Sequence, residues 1–420
     1  MEATITYVPR LQDVEKAASL LAGVITKTPL SKNERYSKLF SSNVYFKRED
    51  LQPVRSYKIR GAYHKMVSLS ASERAQGIVC ASAGNHAQGV ALSCKLLKIN
   101  GTIYMPATTP QQKIEQVHMF GEHFVEVILE GDTFDDSNTL AMASCKEDSK
   151  VFIHPFDDEK VIEGQATIGL ELLAQALEPL DYIFLPVGGG GLSAGVSSVF
   201  KQLSPSTKII GVEPEGAPSM RISIERGENT TLTSIEKFVD GAAVQRVGDL
   251  NFSICRETLD AVISVSEGKV CQTMLDLYNK DAIIVEPAGA LSIAALDLFS
   301  EEIKGKNVVC VVSGSNNDIT RTAEIKERAL LYAKRKHYFI VKFPQRAGAL
   351  RQFVAEVLGP NDDITHFEYT KKTNRENGAA VVGLELKTPE DLKPLVVRMK
   401  AYDFYGDYLN DKPELFQFLV

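Results

Sequence analysis

The sequence predicts an α/β protein of two lobes built on mainly parallel sheets, followed by a smaller α+β unit. Three observations carry that expectation: short apolar runs with little polar alternation, amphipathic stretches of helical length between them, and a change of pattern after "AEIKERALLYAKRKH". Strands that do not alternate are buried on both faces, as in parallel sheets covered by helices.

Taken in order from about residue 76, the strand candidates are "GIVCAS", "NGTIYMP", "HFVEVIL", "YIFLPVGG", "KIIGVEP" and "NVVCVVSGS". Helix-like stretches such as "NHAQGVALSCKLL", "TPQQKIEQVHMF" and "GQATIGLELLAQAL" separate them. One copy of the pattern precedes residue 155 and one follows it, which predicts two lobes with a ligand between them. The expected boundaries are one domain over 1–330, with a small lobe of about 55–155 inserted in a larger one, and a second domain over 338–420.

The second unit reads as "YFIVKF", a helix "RAGALRQFVAEVL" with Leu350, Phe353, Val354 and Val357 on one face, strands "ITHFEYT" and "AAVVGLEL", a helix "PEDLKPLVVRMKAY" and a last strand "ELFQFLV". That β-α-β-β-α-β order is the ferredoxin-like split motif.

Composition narrows the function classes. The chain has 420 residues, 44% hydrophobic and 24% charged, with a formal net charge of -7, so no positive field favours nucleic acid. No apolar run reaches the roughly 18 to 20 residues that span a bilayer, and "MEATITYVPR" lacks a secretory pattern. The expectation is a cytoplasmic protein that binds neither membrane nor nucleic acid. The six cysteines form no C-x-x-C pair and the seven histidines no metal spacing, so no metal site is expected.

Four features can carry chemistry. In "FLPVGGGGLSAGVSSVF" a strand ends, Gly188, Gly189, Gly190 and Gly191 follow, and a helix begins with Leu192. Backbone N–H groups there converge on an anion at a helix N-terminus, which suits a phosphate monoester; a tight turn without ligand is the competing reading. In "CASAGNHAQGVAL" the residues Ser82, Ala83, Gly84, Asn85 and His86 make another strand-to-helix turn, suited to a carboxylate or to simple helix capping. "VVCVVSGSNND" puts Ser313 at the end of a core strand. "VRSYKIRGAY" holds Lys58, which read alone is an ordinary helix lysine. A phosphorylated aldehyde cofactor that joins a lysine and acts on amino acids uses all four.

"SYKIRGA", "SAGNHAQG", "GGGGL" and "SGSNND", in that order, resemble the fold-type II pyridoxal-phosphate enzymes, in their threonine dehydratase branch, over roughly residues 5–325. "VKFPQRAGALRQF" resembles the single ACT-like regulatory domain of biosynthetic threonine dehydratases. The resemblance implies pyridoxal phosphate held by Lys58, an Asn85 contact to its 3-hydroxyl oxygen, and a phosphate loop of Gly188 to Gly191 with the Leu192 amide. It further implies Ser313 facing the pyridine nitrogen, and the Ser82 to His86 turn receiving the substrate carboxylate. Lys58 and Ser313 would be the catalytic pair: the freed amine removes the α-proton, and a neutral hydroxyl does not force the ring nitrogen to stay protonated.

The implied reaction is dehydration and deamination of L-threonine to 2-oxobutanoate and ammonia, toward isoleucine, with L-serine a lesser substrate. Isoleucine or valine would act through the C-terminal domain, and a homotetramer is expected. The chain departs from the pattern at three points. Tyr57 stands where phenylalanine is commoner. Ala83 replaces the serine that transfers a proton in the related racemases. Glu213 is present, but Ser219 occupies the position of the aspartate in their metal site. The rival readings are a catabolic serine/threonine dehydratase with racemase side activity, which serine turnover would reveal, and a non-catalytic amino-acid sensor, which would lack bound cofactor. Ser56 and Gly61 are expected to let the cofactor ring lie against the Lys58 stretch.

Overall fold

The computed structural model describes residues 7–369 and 377–412. Two compact units divide the chain, residues 1–319 and 320–420. The strands of the first are β1 (Leu30–Lys32), β2 (Asn43–Arg48), β3 (Ile78–Ala81), β4 (Gly101–Met105), β5 (Val125–Leu129), β6 (Val151–Phe152), β7 (Tyr182–Pro186), β8 (Lys208–Pro214), β9 (Ala261–Val265) and β10 (Asn307–Val312). They form two sheets, ordered β1-β2-β10-β7-β8-β9 and β5-β4-β3-β6. Every pairing is parallel except β1 with β2.

Runs such as "IVCA" in β3 and "YIFLP" in β7 are buried at every position, because helices cover both faces. The small sheet packs Ile78, Cys80, Ile103 and Met105 against Val90, Ala91 and Cys94 of the helix Asn85–Leu97. In the larger sheet Ile183, Leu185, Val309 and Val311 meet Leu192, Val196 and Phe200 of the helix Gly191–Leu203. Both helices therefore start directly after the carboxyl ends of their strands, which is where open α/β sheets hold ligands.

Sequence periodicity missed β1, β2, β6 and β9. The first two come before the region where the alternation begins, yet β2 pairs with β10 over six residues from Asn307 to Val312 and so borders the strand that ends at Ser313.

The second unit has an antiparallel sheet ordered β12-β13-β11-β14, where β11 is Lys336–Pro344, β12 Asp363–Tyr369, β13 Asn377–Glu385 and β14 Tyr405–Tyr408. Its core joins Phe339, Val341, Phe343, Val382 and Leu384 to Phe353, Val357, Leu395 and Met399. The strand that completes the motif is β14; the expected strand over 414–420 lies outside the described residues. The helical face also differs from expectation. The α-helix is short, Ala349–Gln352, and widens into a π turn over Phe353–Val357. Phe353 and Val357 are buried while Leu350 and Val354 are 47% and 48% exposed, since the wider turn rotates the two pairs onto different faces.

Candidate active site

Lys58 opens the helix Lys58–Val67, whose buried side carries Ile59, Ala62 and Met66. Its Nζ donates to the Pro155 carbonyl at 2.8 Å. The amine also lies 5.4 Å from the Tyr57 ring centre and 6.0 Å from that of Phe156. Burial pushes its pKa down to about 8, with Glu286 pulling the other way. The positive end of its own helix acts in the same direction as burial. Such an amine is neutral in part near pH 8 and can act as nucleophile or base.

Two glycines and a charge network fix that helix. A Cβ on Gly61 would lie 2.9 Å from the Val161 carbonyl, and one on Gly164 would lie 2.9 Å from the Arg60 carbonyl carbon, so two helix backbones nearly touch. Gly61 therefore serves helix packing against Glu159–Gln175, not a cofactor ring; Ser56 is buried with its hydroxyl unpartnered. Arg60, fully buried, spends all five N–H groups on Glu49 (2.8 and 2.8 Å), Glu171 (2.7 and 3.0 Å) and the Thr167 hydroxyl (3.0 Å). Lys47 adds bonds to Glu171 at 2.5 Å, the Thr28 carbonyl at 2.8 Å and Gln175 at 3.0 Å. Buried charges persist only when their hydrogen bonds are complete, as here.

The glycine run follows β7. Gly190 adopts φ +93° as the cap of the helix Gly191–Leu203, a conformation that favours glycine. A Cβ on Gly188 would meet the Ala242 Cα at 2.9 Å; one on Gly189 would fall inside the Phe156 ring; one on Gly191 would meet the Phe156 carbonyl at 2.9 Å. The chain itself thus demands these glycines, before any ligand is considered. Asn251 Nδ2 and the Gly248 amide hold the Gly189 carbonyl at 2.8 and 3.1 Å, orienting the loop. Leu192 and Ser193 lie in the first buried turn, and the Ser193 hydroxyl has no partner among the described residues.

The second turn follows β3. Ser82, Ala83, Gly84 and Asn85 are partly open, and a Cβ on Gly84 would meet nothing within 4 Å. The Ser82 hydroxyl accepts from the Gly84 amide at 3.2 Å, and no side chain caps the helix Asn85–Leu97. First-turn amides without a side-chain cap, beside the open position at Gly84, fit a carboxylate. His86 is buried and bonds the Ile153 carbonyl at 2.9 Å, so its side chain is committed to structure.

Hydrogen bonds tie the rest together. The Tyr57 amide donates to the Ser313 carbonyl at 3.1 Å, and Ser56 bridges Gly314. The Glu286 amide donates to the Gly314 carbonyl at 3.2 Å. Asn85 Nδ2 donates to Glu286 Oε1 at 2.6 Å, while Asn316 Nδ2 donates to Asn85 Oδ1 at 2.6 Å. Ser313 is buried, and its hydroxyl bonds to no described residue. Lys58, Asn85 and Ser313 are thus neighbours through backbone and side-chain bonds, and the Phe156 ring 6.0 Å from the Lys58 amine packs on Gly189 of the glycine run.

Glu286 was missed in the sequence. It precedes the apolar helix Pro287–Ala294 in "AIIVEPAGALSIAA", where one acid in an apolar run was the available signal. Burial and the nearby Asp240 raise it to about 7, against the Asn85 hydrogen bond. Glu213 accepts from the Met220 and Arg221 amides at 2.6 and 2.9 Å. It caps the helix Ser219–Arg226, and burial raises it to about 8.

The residues fit a phosphorylated aldehyde cofactor: a buried amine of lowered pKa, an N-terminal cradle beside an unpartnered buried hydroxyl, and an open second cradle. Residues 21–314 match the family described as pyridoxal-phosphate dependent enzyme. Residues 327–419 match the C-terminal regulatory domain of threonine dehydratase. The chain is 52% identical, over 98% of its length and 99% of the relative's, to L-threonine dehydratase biosynthetic IlvA of Halalkalibacterium halodurans. The Bacillus subtilis protein of the same name is 53% identical, with 98% and 97% covered. Among solved structures, the processed form of threonine deaminase isoform 2 from Solanum lycopersicum superposes with a TM-score of 0.72 at 40% identity, over 77% of this chain and 95% of that one.

Proposed function

The chain belongs to the biosynthetic L-threonine dehydratases, pyridoxal-phosphate-dependent enzymes with a C-terminal regulatory domain, and from that premise we propose roles for its individual residues. The reaction is the dehydration and deamination of L-threonine to 2-oxobutanoate and ammonia. Lys58 holds the cofactor, the Gly188 to Gly191 loop with the Leu192 amide takes its phosphate, and Asn85 and Ser313 address the ring oxygen and the ring nitrogen. When bound, pyridoxal phosphate supplies an aldehyde for the substrate amine and a ring that withdraws electrons from Cα.

The protein does the rest. The open amides of the Ser82 to His86 turn bind the substrate carboxylate, with Ala83 and Gly84 leaving room for it. Lys58 would take the proton from Cα, and its lowered pKa leaves a useful fraction neutral near pH 8. Ser313 offers a hydroxyl without charge, so it does not hold a proton on its partner. Ala83 carries no proton to return to the other face of Cα, which supports elimination over racemisation.

The C-terminal domain receives an amino-acid effector, isoleucine or valine. L-Serine is the lesser substrate, the assembly a homotetramer and the location cytoplasmic; no helix among the described residues is long and apolar enough to cross a membrane.

The observation that supports the reading is a buried Lys58 amine of pKa about 8, 6.0 Å from the Phe156 ring that packs on the Gly189 backbone at the start of the helix Gly191–Leu203. The test is 2-oxobutanoate release from L-threonine by the wild type and by Lys58→Ala. The wild type should turn over and the variant should lose at least about a thousandfold, as for loss of a covalent and proton-transfer group. Comparable turnover by the variant would remove Lys58 from the chemistry.

A further inference from the structure

Two histidines near Lys58 are locked in the same tautomer, by different contacts. His86 Nε2 lies 2.9 Å from the Ile153 carbonyl, which only accepts, so Nε2 carries the proton. His154 reaches the same tautomer through its other ring nitrogen. Its Nδ1 lies 3.2 Å from the Phe156 amide and 2.7 Å from the Asp157 amide. Backbone N–H groups only donate, so Nδ1 is bare and the proton sits on Nε2.

Both rings are kept neutral. Burial and then the Lys58 charge bring His86 down to about 3. Burial also lowers His154, with Lys58 adding to it and Asp157 and Asp158 opposing. The Nε2–H of His154 meets no acceptor among the described residues, although the ring is only partly exposed. Turning the ring to find one would break both backbone bonds.

Its surroundings are set by its neighbours. Pro155, the next residue, accepts the Lys58 amine. The His154 ring stands edge-on to Phe156, 4.7 Å between centres and 88° apart, and Phe156 covers the glycine loop. A fixed, uncharged donor without an acceptor among the described residues therefore stands next in the chain to the carbonyl that holds the Lys58 amine and against the ring that packs on Gly189.

A β-hydroxy amino acid brings three polar groups. The amine and the carboxylate have partners in the roles above; the β-hydroxyl has none. We propose that the Nε2–H of His154 donates a hydrogen bond to the β-hydroxyl oxygen of the substrate, the oxygen that leaves, and so selects β-hydroxy amino acids. The inference rests on the threonine dehydratase roles above and extends them to the leaving group.

His154 keeps its own proton throughout. Elimination breaks Cα–H and Cβ–O; the Cα–H electron pair becomes the new carbon–carbon π bond. The proton taken up by Lys58 is the one available to the departing oxygen, so water is lost overall. The hydrogen bond from His154 aligns the C–O bond and spreads the charge that grows on oxygen as it breaks.

The holoenzyme variant His154→Asn separates this role from a structural one. Its Oδ1 takes the position of Nδ1 and keeps both backbone amides, but nothing replaces Nε2–H. For the variant, kcat/KM for L-threonine should fall roughly 10- to 100-fold, the range for one hydrogen bond to developing charge. L-3-chloroalanine, whose chloride leaves without a proton, should change by less than about threefold, as should the dissociation constant of L-2-aminobutyrate, which has no β-hydroxyl. His154→Gln, whose amide nitrogen reaches the Nε2 position, should recover part of the threonine rate.

Equal losses on threonine and chloroalanine overturn the proposal, as does an unchanged threonine rate. A variant that no longer binds 2-aminobutyrate counts against it equally, because it marks a structural role. Failure of the wild type itself on threonine would instead overturn the parent reading.

Discussion

Asn85 Nδ2 donates to Glu286 Oε1 at 2.6 Å, joining the strand-to-helix turn of one lobe to the helix that follows the apolar "AIIVEP" run of the other. The contact matters because Glu286 sits in the cleft with its pKa raised to about 7, chiefly by burial.

That raised pKa has a defined sign. The folded chain keeps the Glu286 proton up to about pH 7, while the unfolded chain releases it near 4.5. The stabilisation is therefore complete below the unfolded value and is lost as pH rises through 7, by roughly 3 kcal/mol in total. In cofactor-stripped enzyme, urea unfolding from pH 5 to 8 should show this fall for the wild type, and Glu286→Gln should flatten it. Parallel curves for the two proteins would contradict the assignment.

Lys58 should titrate far below an ordinary lysine. In the stripped enzyme the rate of acylation of its amine should rise with a midpoint near pH 8, where the neutral form becomes available, against about 10.4 for a free lysine. Peptide mapping of the labelled chain measures it; a midpoint above 10 would show that burial does not depress the group.

Arg60→Met should leave Glu49 and Glu171 with Lys47 in place of two cations. Removing one member of a completed buried network costs about 3 to 5 kcal/mol. Denaturant unfolding should show that loss, and cofactor affinity should fall with it because Arg60 lies two residues from Lys58 in the same helix. A change below 1 kcal/mol would mean the charges find water instead.

The glycine loop can be separated into its parts. Gly190→Ala meets a φ of +93° and should cost about 1 to 2 kcal/mol of stability. Gly188→Ala pushes on the Ala242 backbone at 2.9 Å and should displace the cradle, weakening pyridoxal phosphate binding at least tenfold by fluorescence titration. Equal cofactor affinity in Gly188→Ala would dissociate that residue from the phosphate.

The regulatory reading predicts that residues 1–319 retain threonine turnover and lose any response to isoleucine or valine, since the effector acts only through its differential affinity for two states. Full inhibition of the truncated chain would place the sensor in the first unit.

Local chemistry made part of this site readable in advance. Strand, small residues and helix start occur together in "VGGGGL" and "SAGNHA", so both cradles were visible as sequence, and the alternation of apolar runs with amphipathic stretches announced the parallel sheets. Lys58 was legible only in company with Asn85, Gly188 and Ser313. Glu286, Arg60 and His154 were not, because their roles depend on partners far along the chain: Asn85, Glu171 and a lysine whose carbonyl partner is Pro155. The glycines were read as room for an anion, while the structure shows Phe156 and Ala242 filling much of that room. β14 escaped because "YGDY" carries no apolar alternation and is held by pairing with β11.

The most direct measurement of the central claim is to reduce the holoenzyme with borohydride, which fixes pyridoxal phosphate onto the lysine that holds it, and to map the modified peptide by mass spectrometry. The account predicts the cofactor mass on Lys58, in the peptide beginning "SYKIR". Its appearance on another lysine, with Lys58 unmodified, would contradict it.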